Sequence, residues 1–209
     1  MLSFEEFFDT CSGLWKTERI YHSLQEGQIE RSYTEFRVEA INQAQKQEIL
    51  AQSALTDLET TNLIEQQKFP GFAIAFDTRS ETGETVSMNL QALFIPDTYL
   101  PAKASTPDLP PPPLSAQIAL EPGLIQGFYL RDRGYSEAGA ISGRFSYQPI
   151  RQALEMTTYY RRSVAVDQMR MVSADVRMRT IITYERPPVG EIPTKIDLIG
   201  FGVERRYSA

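Results

Sequence analysis

The chain has one cysteine, Cys11, one histidine, His22, and one tryptophan, Trp15, in 209 residues. A single cysteine excludes an intramolecular disulfide and fits a reducing compartment. A lone histidine, with no second histidine or cysteine beside it, excludes a zinc site of ordinary composition, so no metal is expected. No uncharged run reaches the roughly 18 residues that a membrane-spanning helix needs, so no span is expected. The N-terminal Met1-Leu2-Ser3-Phe4-Glu5-Glu6 lacks the basic segment and apolar run of a signal peptide. Positive charge is in deficit. The formal net charge is -6, whereas a nucleic-acid-binding domain is usually basic, and that class is set aside. No Gly-x-Ser-x-Gly elbow, phosphate-binding loop or His-Glu-x-x-His motif occurs, so the residues by themselves name no reaction.

What is present is ordinary in amount but uneven in kind. Hydrophobic residues make up 42% and charged residues 23% of the chain, the balance of a soluble globular protein. Its length suits one domain, 1–209, with a substantial core. Of the 21 basic residues five are lysines and the remaining sixteen arginines, twelve of which lie at or after Arg131. Arginine suits bidentate carboxylate recognition better than lysine does.

Phe4, Phe7, Phe8, Cys11, Leu14 and Trp15 fall on one face at helical spacing, and Ser3 with Glu6 forms a capping-box pattern. Cys11 lies on the apolar face and reads as a packing residue, not a nucleophile. The spacing predicts a second helix over Asn42–Leu55, where strong helix formers gather and β-branched residues are few. Strands are predicted over Lys16–Ser23, Arg31–Ile41, Phe72–Asp77, Thr85–Pro96, Leu124–Arg131, Ala140–Gln148, Gln152–Arg162, Val164–Val172, Val176–Glu185 and Lys195–Arg205. The proline-rich stretch 101–114 predicts a stiff surface excursion. About ten sequential strands with tight turns indicate a mostly β fold. They suit an antiparallel up-and-down barrel, which leaves no exposed edge and can enclose one small ligand.

Alternation gives each strand two faces. Arg177, Arg179 and Ile181 share one face, opposite Val176, Met178, Thr180 and Ile182. Glu155, Thr157, Tyr159 and Arg161 share another, opposite Leu154, Met156, Thr158 and Tyr160. Alternation alone leaves open which set faces solvent and which faces a ligand. Arginine with tyrosine and threonine on one face would suit a flat conjugated molecule carrying carboxylates.

Three stretches carry a family resemblance. They are Phe7-Phe8 followed by Ser12-Gly13-Leu14-Trp15 and Arg19, then Leu130-Arg131-Asp132-Arg133-Gly134-Tyr135 with Gly139 and Gly143-Arg144-Phe145, and then Ser173-Ala174-Asp175-Val176-Arg177-Met178-Arg179-Thr180. In this order they resemble the S-type phycobiliprotein bilin lyases over nearly the whole chain, with the proline-rich stretch as an insertion. The resemblance implies a lipocalin-like barrel of about ten strands, with an N-terminal helix and a second short helix. It implies binding of a bilin, phycocyanobilin or a relative, as substrate and not as cofactor. It also implies attachment of that bilin as a thioether to a cysteine of a phycobiliprotein subunit, a phycocyanin or allophycocyanin β subunit. The acceptor supplies the thiol, which accounts for the missing nucleophile.

By the same resemblance Arg19, Arg144 and Arg177 become ligand-binding candidates, with Trp15 and Tyr159 as stacking candidates. Asp132, Glu155 and Arg179 become catalytic candidates for holding and protonating the tetrapyrrole. The chain departs from the family at Thr157-Thr158-Tyr159-Tyr160, where many members read Thr-Thr-Glu-Tyr, and at Asp167-Gln168-Met169, where many have a Glu-Arg pair. These departures keep two alternatives open, a non-catalytic carrier of a bilin or apolar ligand and a partner subunit of a heteromeric lyase. The expected partners are the acceptor subunit, the bilin and a second copy or homologous lyase. The expected location is the cytoplasm or plastid stroma.

Overall fold

The computed structural model describes residues 1–53, 55, 69–100, 109–117, 121–134, 137 and 139–208. Residues 101–108 of the proline-rich stretch and Tyr135 of the second resemblance motif lie outside the described residues.

Among the described residues ten strands are present: β1 (Gly13–Ser23), β2 (Gln28–Ala40), β3 (Gly71–Ser80), β4 (Thr85–Pro96), β5 (Ile125–Arg131), β6 (Ile141–Gln148), β7 (Ala153–Tyr159), β8 (Ser163–Ser173), β9 (Val176–Glu185) and β10 (Ile196–Tyr207). Each pairs antiparallel with its sequence neighbours, and β1 pairs with β10, so the sheet closes on itself. Closure leaves every strand with a partner on both sides. The predicted lipocalin-like barrel is therefore what the chain forms. The long register of β1 against β10, Leu14 opposite Tyr207 through Ser23 opposite Leu198, fixes the two ends of the chain together.

Helix α1 (Phe4–Cys11) forms the predicted capping box: Ser3 Oγ accepts from Glu6 N–H, and the Glu6 carboxylate accepts from Ser3 N–H at 2.7 Å. Its buried Phe4, Phe7, Phe8 and Cys11 enter one end of the barrel. There Phe4 stacks on Phe145 at 5.4 Å and Phe8 meets Phe94 at 4.6 Å. Gly13 has φ +123° and lets the chain pass from helix to strand within two residues. A side chain at Gly13 would also collide with Arg206, whose guanidinium donates to the Ser12 and Thr10 carbonyls and so caps the helix C-terminus.

Helix α2 (Gln43–Gln52) is capped in the same way by Asn42 and Gln45. Its Ile49 and Leu50 pack with Leu93, Ile95, Phe128 and Leu130, the outward residues of β4 and β5. The described residues 109–114 of the proline-rich stretch lead into packing that continues just past its end at Ser115 and Ala116. Leu109 and Ala116 pack on Tyr159, Val164 and Tyr184 of the outer wall, and Tyr184 bonds Ser115 at 2.9 Å. Apolar residues on the outward faces of β4, β5, β7, β8 and β9 are what this segment and α2 cover.

Candidate functional site

Strand alternation sends one residue in two into the barrel, and above α1 these enclose a cavity of about 510 Å³. That volume is within the range that holds a molecule of drug or cofactor size. Phe36, Phe72, Phe76, Met88, Tyr129 and Met156 supply apolar wall. Arg19, Arg131, Arg177, Arg179 and Asp167 supply charge. The far end is ringed by the hairpins β1–β2, β3–β4, β5–β6, β7–β8 and β9–β10. Among the described residues no helix covers it.

The charge is organised around Glu204, which comes from β10 and is fully buried. Its carboxylate accepts from Arg19 Nη2 at 2.9 Å and from Arg177 Nε, and Arg179 Nη1 stands 3.7 Å away. Burial pushes the Glu204 carboxyl up, but Arg177, Arg179 and Arg19 outweigh it and hold the group at about 2. Arg179 is also forked onto Asp167, with Nε 2.8 Å from Oδ1. The Arg177 guanidinium lies 4.1 Å above the Trp15 ring and 5.1 Å from Phe36, a cation–π floor. Arg177 Nη1 and Arg19 Nε are buried with no hydrogen-bond acceptor among the described residues. Arg19 and Arg177 thus share the one carboxylate of Glu204, while Arg179 is paired with Asp167.

Small residues make room for this cluster. The inward face of β10 reads Leu198, Gly200, Gly202, Glu204. A side chain at Gly200 would strike the Tyr21 ring at 2.5 Å, and one at Gly202 would meet Arg19 Cγ at 3.0 Å. Across the cavity, near the open end, Arg131 Nη1 donates to Tyr160 Oη at 2.9 Å, both side chains being buried.

Of the eight candidates from the sequence, the barrel brings Arg19, Arg177 and Arg179 to the cavity and sets Trp15 directly beneath it. Trp15 Nε1 donates to the Cys11 carbonyl at 2.9 Å, and its ring carries Arg177, so it underlies the cavity and does not line it. The other four point away. Arg144 grips Asp97 on the outer wall and covers Phe128 at 4.5 Å. Asp132 accepts from Gln91 N–H at 2.8 Å and ties the end of β5 to β4. Glu155 and Tyr159 share the outward face of β7. Glu155 accepts from Gln168 Nε2 at 2.8 Å, and burial pushes its carboxyl up to about 7. Burial raises the Tyr159 phenol to about 12. The Thr-Thr-Glu-Tyr departure at Tyr159 therefore falls outside the cavity, whereas Tyr160 lies in it. Cys11 lines the floor, and burial pushes its thiol up to about 11, in keeping with a packing role.

Sequence reasoning missed Glu204, Arg131, Tyr160 and Tyr21. The available signal was the inward face of β10, two glycines and an acid opposite Phe201 and Val203. Leu198, Gly200, Gly202 and Glu204 include no arginine, tyrosine or threonine, the residue types by which a ligand-facing set was sought.

Known proteins resemble this chain in sequence and in its barrel fold. The CpeS-like protein family matches residues 3–104 and 114–207. A relative named chromophore lyase CpcS/CpeS 1, from Synechococcus sp. (strain JA-3-3Ab), is 36% identical over 205 residues, covering 98% of this chain and 97% of the relative. Chromophore lyase CpcS/CpeS 2 from Synechocystis sp. is 27% identical over 177 residues, covering 84% of this chain and 77% of that protein. The solved S-type phycobiliprotein lyase CPES from Guillardia theta superposes with a TM-score of 0.63 at 18% identity, covering 100% of this chain and 94% of that one, and shares the fold. With the family matching on both sides of the proline-rich insertion and a relative aligned end to end, the chain belongs to the CpeS-like family.

Proposed function

We propose that this protein is a chromophore lyase that holds a bilin in its barrel and transfers it to a cysteine of a phycobiliprotein. The observation that carries the reading is that Arg19 and Arg177 share the single carboxylate of Glu204 beside a largely aromatic and apolar cavity, with Arg177 Nη1 and Arg19 Nε buried and without an acceptor among the described residues. Buried guanidinium N–H groups without an acceptor are costly unless a ligand supplies one. A linear tetrapyrrole with two propionates brings two negative charges and a flat conjugated body, the two features that the lining complements. The names of the relatives supply the reaction class.

In this reading Arg177 and Arg19, held by Glu204, receive one propionate, and Arg179 orients the pigment from β9. Phe36, Phe72 and Tyr129 flank the conjugated plane. The protein excludes water from the pigment and presents its reactive end at the open end of the barrel. Positioning of this kind replaces a slow, unselective thiol addition with a directed one. The acceptor supplies the sulfur, so no thiolate is needed here. Phycocyanobilin and a phycocyanin or allophycocyanin β subunit are the proposed substrates.

The test is to mix the purified protein with phycocyanobilin, record the visible spectrum, and then add the apo β subunit. The expected result is a shifted bound spectrum followed by an acid-stable adduct on the acceptor. Pigment that binds and never transfers would favour a carrier. Transfer only after a homologous lyase is added would favour a partner subunit.

A further inference from the structure

Thiol addition to the pigment needs a proton at the carbon next to the one that sulfur attacks, and the cavity offers few groups that can give it. Asp167 is forked onto Arg179 and Glu204 is ringed by arginines, so both serve as acceptors. Glu155 holds a proton near neutrality but faces outward from β7. The Cys11 thiol, on the last residue of α1, lies at the floor, at the end opposite the open end of the barrel. Phenols remain. Tyr129 is stacked on Phe94 at 4.9 Å within the core. Tyr21 lies along β10 over Gly200 and next to Arg19, so it belongs to the carboxylate-holding cluster.

Tyr160 differs from both. It directly follows β7 in the turn to β8, at the open end where an acceptor cysteine must enter. It is buried, it lines the cavity, and Arg131 Nη1 donates to its oxygen at 2.9 Å. A guanidinium so placed stabilises negative charge on the phenol oxygen as its proton leaves.

The geometry points to Tyr160 as the catalytic proton donor of chromophore transfer, with Arg131 stabilising the phenolate. The inference rests on the bilin-lyase reading above. The acceptor sulfur bonds to the outer carbon of the pigment's exocyclic double bond. The electron pair of that double bond moves to the inner carbon, which takes the proton of Tyr160. The hydrogen of the acceptor thiol restores the phenol. One S–H and one C=C bond are consumed, one S–C and one C–H bond are formed, and nothing is oxidised or reduced.

The test uses full-length protein, phycocyanobilin and an apo β subunit in single turnover. Tyr160→Phe keeps the ring and its packing. It is expected to bind phycocyanobilin with unchanged affinity and to form thioether about a hundredfold more slowly. The solvent deuterium isotope effect of the wild-type reaction should vanish in this variant. A fluorinated tyrosine at position 160 alters only the acidity of the phenol, so the transfer rate should change while pigment affinity does not. Transfer at the wild-type rate by Tyr160→Phe, or by the fluorinated protein, overturns the assignment. Loss of pigment binding in Tyr160→Phe overturns it too and makes Tyr160 a binding residue. If the wild-type protein itself neither binds nor transfers pigment, the lyase reading fails and the inference fails with it.

Discussion

Glu204 is the residue on which the interior depends. Removing its charge leaves Arg19 and Arg177 buried without their shared anion, and breaking a buried ion pair from one side costs about 3–5 kcal/mol. Glu204→Gln should therefore unfold at markedly lower denaturant concentration. The surrounding arginines hold the folded carboxyl at about 2, below the 4.5 of an unperturbed glutamate. The stabilisation is thus complete above about pH 4.5 and disappears as pH falls through about 2. Glu155 has the opposite sign. Its folded value is raised to about 7, so the stability linked to its proton is full below about pH 4.5 and is lost as pH rises through 7. Glu155→Gln should raise the melting temperature at pH 8 and leave it nearly unchanged at pH 5. Arg179→Ala should weaken phycocyanobilin binding more than it lowers the melting temperature. Arg144→Ala, which alters only the outer wall, should leave the spectral titration unchanged. Arg177 and Arg179 were legible because alternation fixes which residues share a face. Glu155 and Tyr159 were not placed correctly by the same rule, because both faces of β7 are buried and its burial carries no alternation.

At the level of elements, pattern and structure agree wherever the chemistry is local. The capping box at Ser3 and Glu6, the helical stripe of Phe4, Phe7, Phe8 and Cys11, and the strand runs all depend on near neighbours. Helix α2 ends at Gln52, short of the predicted Leu55, with Ser53 bonding the Leu50 carbonyl. The packing of Leu109, and of Ala116 just past the proline-rich stretch, was not legible because its partners Tyr159, Val164 and Tyr184 lie far along the chain and only the closed sheet brings them near. Helix α1 plugs one end of the barrel through buried side chains, Phe7 completely so. Phe7→Ala should cost about 3–5 kcal/mol in chemical denaturation, the penalty for emptying a tightly packed aromatic site.

For the molecule as a whole, closure is the last and most distant event. β1 and β10 pair across nearly the full length of the chain, so folding must close a very long loop before that seam rewards it. Refolding followed by stopped-flow circular dichroism is expected on the millisecond-to-second scale of non-local β topologies. Deleting β10 would expose the edges of β1 and β9 and remove Glu204. Size-exclusion chromatography of that variant should show aggregates in place of the discrete species formed by the intact chain.

Trp15, the sole tryptophan, lies fully buried directly below the Arg177 guanidinium at the base of the cavity. All indole emission from this protein therefore comes from one position, shielded from solvent and next to whatever the barrel encloses. A conjugated molecule seated above Arg177 would accept its excitation energy, and departure of that molecule to another protein would restore the emission. The fold thus carries its own optical gauge of loading and unloading, readable without a label and in real time.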